Sequence, residues 1–445
     1  MKHDTAAIYK GGKEIPMNQT AEALFHLLEK GSSAVMAVRE AEERLAGAGF
    51  QELRFCQSWG LSENGKYYVK HHDTTLFAFT VGEWAAPRCA VRIGAAHTDF
   101  PCLRIKPNPD LCTAGYAQVN VEVYGGAILN TWLDRPLGIS GRVAVRSSDV
   151  MHPDMRFLSI DRPLLVIPNL AIHMEPEINK GKELNRQSDM LPILGLLEEG
   201  LDKDHMLMRF LAEELQVEME EILDFELWVY CQEAPRRAGL HGELILSPRL
   251  DNLTSVHALL EGLIQARREE GLNIIALFDH EEVGSRTKQG AGSMLMAHLM
   301  DKIYEGLGKT PAQARESLYE AFLLSLDVAH AMHPNKKGKM DLTNQPLLGR
   351  GICIKEASAQ TYATDCEAVA IVEQICHKAG IPYQKFVNRS DVRGGSTLGA
   401  ILSSVLPVRA VDVGAPILAM HSAVETMAAA DMEALAGLVA AYFEV

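Results

Sequence analysis

The 445-residue sequence has no cysteine framework. Its eight cysteines (Cys56, Cys89, Cys102, Cys112, Cys231, Cys353, Cys366 and Cys376) include no C-x-x-C pair. Zinc-finger and disulfide-scaffold spacings are both missing, so the thiols read as buried groups in a reducing compartment. The opening Met1-Lys2-His3-Asp4 lacks the apolar core of a secretory leader, and no uninterrupted apolar run reaches membrane-spanning length. A cytoplasmic protein is expected. Positive charge is also in short supply: 43 basic against 58 acidic side chains leave a net charge of -15. The average field repels nucleic acid and anionic membrane, which argues against phosphate-binding partners. What remains, 47% hydrophobic and 23% charged, is an ordinary globular composition in a chain too long for one small domain.

Apolar residues at helical spacing run from near Thr20 through TAEALFHLLEKGSSAVMAVREAEERLAGAG, with a break expected at Gly31. Short β-rich runs follow: CAVRIGAA before His97, NIIALFD before His280, AFLLSL before Asp327 and VRAVDVG before Pro416. Each leads into loop residues or a helical stretch, which predicts an α/β fold with a mixed, largely parallel sheet flanked by helices. Between about Arg104 and Gly242 the texture changes to strand-like alternation in QVNVEVYGG and GRVAVRSS, with several prolines. The economical division is a discontinuous domain of residues 1–103 and 242–445, with a β-rich domain of residues 104–241 inserted in it.

Histidines and acids fall where chemistry is usually built. His97, the pair Glu281 and Glu282, and Asp327 each sit at the carboxyl end of an apolar run, the edge at which open α/β sheets bind ligands. Each also has a structural explanation. A lone His97 suits a core histidine held by a backbone carbonyl, although Asp99, two residues on, is placed to accept the proton of its far ring nitrogen. Glu281 and Glu282 suit a solvated helix start, or a division of labour in which one binds metal and the other takes a proton from water. Asp251, Asp279 and Asp327 suit caps or turns, Asp251 most of all. His421 reads as opening a helical stretch, and His330 and His333 read as packing. Only as a set do these nitrogen and carboxylate donors, without cysteine, suit a pair of zinc or similar divalent ions.

Eight ordered blocks carry a further signal: AHTDFPCLRIKP at 96–107, PNLAIHM at 168–174, SPRLDNL at 247–253, FDHEEVGS at 278–285, LDVAHAMHPN at 326–335, IKEASAQTYAT at 354–364, RSDVRGGSTLG at 389–399 and DVGAPILAMHS at 412–422. Together they resemble the aspartyl aminopeptidase family of dinuclear zinc metallopeptidases, whose members assemble as tetrahedral dodecamers. The resemblance implies two zinc ions per subunit, with cobalt or manganese able to substitute. It implies that Asp251 bridges them, that His97 and Asp327 complete one site, and that Glu282 and His421 complete the other. Glu281 would be the general base, with Asp99 a catalytic partner.

The same resemblance implies a pocket in which Lys355 pairs with the acidic side chain of an N-terminal aspartate or glutamate, with Tyr362 and His330 also in contact with substrate. His173, in the inserted domain, would reach a neighbouring subunit's site. The expected partners are short peptides and further copies of the chain, as a homo-dodecamer built from dimers through the inserted domain. Three departures stand out: His280 replaces the usual asparagine before the glutamate pair, Phe100 replaces the serine after HTD, and Val392-Arg393-Gly394 interrupts an SDSPCGST-like segment. These bear on which N-terminal residue is preferred. Two alternatives are a dinuclear zinc aminopeptidase of neutral or basic specificity and a catalytically idle peptide-binding scaffold.

Overall fold

In the computed structural model of the chain, residues 8–10, 13–15, 19–83, 90–197 and 205–445 are described. The first seven residues, on which the absence of a secretory leader was read, lie outside them. The chain forms two compact units, Met1–Asp99 with Pro235–Met420 and Glu425–Val445, and Phe100–Ala234 with His421–Val424.

The first unit opens on the helices Gln19–Lys30 and Ala34–Gly47, separated at Gly31 as the sequence predicts. A side chain at Gly31 would stand 2.8 Å from Leu253 Cδ1 and 2.9 Å from the Leu27 carbonyl oxygen, so close packing demands glycine there. Among the described residues, the main sheet of this unit has nine strands. Their order is Tyr383–Val387, Ile352–Glu356, Arg409–Gly414, Phe322–Leu326, Val91–His97, Leu272–Phe278, Thr75–Val81, Lys66–His71 and Gln51–Leu53. The four strands Arg409–Gly414, Phe322–Leu326, Val91–His97 and Leu272–Phe278 are mutually parallel neighbours, and antiparallel pairs occur only toward the two edges. The fold class is the mixed, largely parallel α/β sheet read from the sequence. Leu272–Phe278 is buried at every residue, which a strand covered on both faces requires.

Side chains alternate across a strand, and the two faces take different covers. Val91, Ile93 and Ala95 join Leu295, Met296, Leu299, Leu398 and Leu402 in one core, from the helices Leu295–Gly306 and Leu398–Val405. On the other face, a side chain at Gly94 would strike Leu259 and stand 3.3 Å from Phe443. The helices Leu250–Gln265 and Ala429–Glu444 lie there, against the bare backbone of Gly94. This fixes the height of the helix that carries Asp251.

Because the central strands run in parallel, their carboxyl ends share one edge. His97 ends its strand in register with Phe278, and Leu326, which precedes Asp327, is in register with Val413. A smaller five-stranded sheet in the same unit sets Ala329–His330 beside Pro416–Leu418, followed by Glu425–Ala428, Leu244–Ser247 and Arg236–Ala238. One local expectation fails here. The chain near His421 opens no helix; it turns between the strands Pro416–Leu418 and Glu425–Ala428, with Ala419 at φ 59° and His421 at φ 66°. Left-handed residues of this kind break a helix, and the next one starts at Ala429.

The second unit is built on a six-stranded sheet in the order Asp154–Ser159, Leu137–Val145, Ile222–Cys231, Cys102–Thr113, Tyr116–Tyr124 and Ile193–Leu196. Every pair in it is antiparallel. Among the described residues, no helix of the chain is long and apolar enough to cross a membrane.

Candidate metal centre

At the carboxyl edge of the parallel strands, His97 is 1% exposed. Its Nδ1 stands 3.0 Å from the Asp99 carbonyl oxygen and 3.5 Å from the Asp99 carboxylate. A carbonyl only accepts, so Nδ1 carries a hydrogen and Nε2 is the ring atom turned toward the neighbouring carboxylates. The backbone of Asp99, more closely than its carboxylate, therefore sets the tautomer. Nε2 faces Asp251 Oδ1 at 3.4 Å and Asp327 Oδ1 at 3.7 Å. Two donors about 2.1 Å from one tetrahedral zinc stand about 3.4 Å apart, so this spacing is that of a chelate.

Each donor is fixed by its backbone. Asp251 lies in the first turn of Leu250–Gln265, and its N–H donates to the buried Glu425 carboxylate at 2.9 Å. Asn252 beside it donates to the Leu326 carbonyl at 2.9 Å, tying the helix start to the strand that ends before Asp327. Glu281 and Glu282 open a single turn, Glu281–Val283, directly after the Leu272–Phe278 strand. The Asp99 carboxylate accepts both of their backbone N–H groups, Glu281 to Oδ1 and Glu282 to Oδ2, each at 3.1 Å. Asp99 is thus a positioning residue, shaping the turn that aims the two glutamates. The turn enters through His280 at φ 63°, a conformation that asparagine and histidine both tolerate, which explains why histidine serves where asparagine is usual.

Donor atoms of His97, Asp251 and Asp327 lie within 4.8 Å of one another, as do those of His97, Glu281 and Glu282. The electrostatics of this group call for a cation. Burial opposes a charge on His97, but hydrogen bonds to Asp251, Asp327 and Asp99 and the charge of Glu281 outweigh it, so its pKa stands well above the ordinary value. Glu281 is pushed up to about 8: burial raises it most, His97 pulls it back, and Asp327, Asp99 and Asp251 raise it again. A divalent ion neutralises such carboxylates, and an imidazole with hard oxygen donors suits zinc.

Lys355 is 2% exposed and donates to Asp327 Oδ2 at 3.2 Å and to the Val328 carbonyl at 3.1 Å. Burial works against its charge, yet Asp327, Tyr362 and Asp412 outweigh it and hold its pKa above the usual lysine value. Its Nζ lies 5.2 Å from the centre of the Tyr362 ring, and Asn388 donates to the Tyr362 hydroxyl at 3.3 Å. His330 is exposed, with its ring 6.0 Å from that of Phe386. His173 is exposed within the second unit, and His421 belongs to the short segment grouped with that unit, where its Nδ1 lies 3.2 Å from the Gly126 carbonyl oxygen.

Two buried acids escaped the sequence reading. Asp412 accepts from Ala363 N at 2.6 Å and Thr397 Oγ1 at 2.7 Å, anchoring the loop that carries Tyr362. Glu425 holds Asp251. The available signal for Asp412 was a carboxylate inside the apolar strand VRAVDVG, where burial demands partners.

Comparison with known proteins agrees with this chemistry. The family model described as aminopeptidase I zinc metalloprotease (M18) matches residues 27–443. The chain is 44% identical over 403 residues to a probable M18 family aminopeptidase 2 of Clostridium novyi (strain NT), covering 90% of this chain and 93% of that one. It is 36% identical over 454 residues to aspartyl aminopeptidase 4 of Saccharomyces cerevisiae (strain ATCC 204508 / S288c), covering 94% and 93%. The solved structure of the Ape4 and Nbr1 complex contains a chain superposing with a TM-score of 0.91 at 34% identity, covering 96% of this chain and 85% of that one. With residues 27–443 matched by the family model and a zinc-type donor set at the sheet edge, the chain belongs to the M18 family and is a zinc-dependent aminopeptidase.

Proposed function

We propose that the enzyme removes an N-terminal aspartate or glutamate from short peptides, using two zinc ions and Glu281 as general base. Asp251 would lie between the ions, with His97 and Asp327 completing one site and Glu282 and His421 the other. The observation that carries this reading is the chelate spacing of His97 Nε2 from Asp251 and Asp327, with the raised carboxyl of Glu281 in the adjoining donor group. When bound, the zinc pair supplies a lowered pKa for water and polarisation of the scissile carbonyl.

The chain's own groups handle the protons. Glu281 takes a proton from the attacking water as its oxygen forms a bond to the carbonyl carbon. The C–N bond then breaks, and the carboxylic acid of Glu281 returns that proton to the leaving amine. Asp99 keeps the Glu281–Glu282 turn in place through both steps. Lys355 has two of its three ammonium hydrogens engaged by Asp327 and Val328, leaving the third for the substrate's acidic side chain.

The working form is a homo-oligomer of the dodecameric kind that the family resemblance implies, acting in the cytoplasm. Leu170, Ile172 and Met174, which flank His173, are 43%, 53% and 71% exposed, an apolar strip that contact with a second copy would cover. The described cysteines are free thiols, which suits a reducing compartment, although Cys56, Cys112 and Cys366 are exposed where the sequence suggested burial.

A panel of chromogenic aminoacyl substrates, run with zinc-loaded protein, tests the specificity. Asp and Glu derivatives should be cleaved well ahead of Leu and Lys derivatives; equal or reversed rates would refute acidic selection while leaving the aminopeptidase in place.

A further inference from the structure

The departure Val392-Arg393-Gly394 lines a surface pocket of about 310 Å³, together with Phe386 and His330. The pocket is basic on balance, with Lys336, Lys339, Arg389 and Arg393 in its walls against one acid, Asp341. The chain as a whole carries a net charge of -15, so a cationic hollow stands out against the field around it.

The acids nearby are already engaged. Asp341 accepts from the backbone of Thr343 and Asn344 at 3.1 and 2.9 Å, and Asp391 holds Arg389 at 2.6 and 3.1 Å. The Lys336 ammonium and the Arg393 guanidinium make no hydrogen bond or ion pair to any described residue.

The pocket also lies close to the chemistry. Phe386 in its wall faces Tyr362 with ring centres 6.3 Å apart, and Tyr362 underlies Lys355, which holds Asp327. An extended peptide advances about 3.5 Å per residue, so a pocket joined to Lys355 through Tyr362 and Phe386 lies within two or three residues' reach of a substrate held at Lys355. Lys336 and Arg393 are exposed in the pocket wall and so open to an incoming chain.

We propose that this pocket is an anion subsite for the part of the peptide beyond the cleaved bond, with Arg393 and Lys336 receiving a carboxylate. The inference rests on the peptide-hydrolysis reading above. The carboxylate has two sources, an acidic side chain at the second or third residue or the free terminus of a di- or tripeptide. On this reading, the preferred substrates carry a second negative charge besides the one at Lys355.

The test uses zinc-loaded, full-length protein and four peptides that share an N-terminal glutamate. They are Glu-Ala-Ala amide, Glu-Ala-Ala with a free carboxylate, Glu-Asp-Ala amide and Glu-Ala-Asp amide. KM for the neutral amide should exceed that for at least one anionic peptide by roughly two- to fivefold, the scale of exposed ion pairs. The gap should shrink at high salt, because these cations are exposed to screening. The peptide that gains identifies the source of the carboxylate. In Arg393→Ala and Lys336→Ala the KM ratio should collapse toward one, and Arg393→Lys should restore part of it.

Equal KM values across the four peptides would overturn the subsite while leaving the aminopeptidase reading intact. So would variants that alter only the choice between Glu and Ala at the first residue. If zinc-loaded protein cleaves none of these Glu-initiated peptides but cleaves Leu- or Lys-initiated ones, the acidic-specificity reading falls and the subsite, which rests on it, falls with it.

Discussion

The Asp99 carboxylate accepts two adjacent backbone N–H groups, while its own carbonyl takes the Nδ1 hydrogen of His97. One residue thereby positions both His97 and Glu281. Asp99→Ala keeps the carbonyl and loses the carboxylate, so the Glu281–Glu282 turn loosens; zinc affinity or activity should fall by roughly 10- to 100-fold, as for other supports of metal ligands. Competition with a zinc chelator measures the first and peptide turnover the second. Glu281→Gln should leave zinc content near that of the wild type and cut kcat by about 10²- to 10⁴-fold, the contribution of general base catalysis. Parallel metal analysis and steady-state kinetics check this, and a Gln variant with normal kcat would remove Glu281 from the mechanism. His97, the Glu281–Glu282 pair and Asp327 stood out as candidates because they follow apolar strands. The buried tethers did not, since Glu425 and Asp412 are joined to Asp251 and Ala363 across 174 and 49 residues, and no local spacing announces such pairs.

Elements rather than residues decide how high Asp251 sits. The helix Leu250–Gln265 rests on the bare backbone at Gly94, so Gly94→Val would drive its side chain into Leu259 and lift the helix start. Overpacking of this kind costs about 1–3 kcal/mol, and chemical denaturation should register it together with weaker zinc binding. The same helix buries His257, whose Nδ1 lies 3.2 Å from Arg44 Nη1. Burial, aided by the charge of Arg44, depresses the His257 pKa to about 3. The folded state then binds fewer protons than the unfolded state, so the associated stability is complete above about pH 6.5 and drains away as pH falls toward 3. Denaturation midpoints for His257→Gln should decline less steeply than those of the wild type across that window.

The four parallel strands were readable because short β-rich runs, mostly apolar, mark strands buried on both faces. The five-stranded sheet was not, as Ala329–His330 has two residues and Pro416–Leu418 three, too few to show a period. The turn at His421 was misread as a helix start for the same reason, since the left-handed backbone there follows from its neighbours in space and APILAMHSAVET alternates too weakly to exclude a helix.

At the scale of the whole molecule, the change of texture near Arg104 marked a second unit, whereas contacts draw the limits at Phe100 and Ala234 and add His421–Val424. Four residues returning from near the far end of the chain leave no mark in composition. The net charge of -15 surrounds a site crowded with carboxylates, an arrangement in which a divalent cation is stabilised by the entire field as well as by its ligands. The central claim is that peptide hydrolysis depends on zinc held by this group. Its most direct test is a zinc titration of chelator-stripped protein with a Glu-initiated peptide as substrate. The account predicts negligible activity at the start and recovery that saturates at two zinc ions per chain; full turnover by the stripped protein, or no rise in activity as zinc is added, would contradict it.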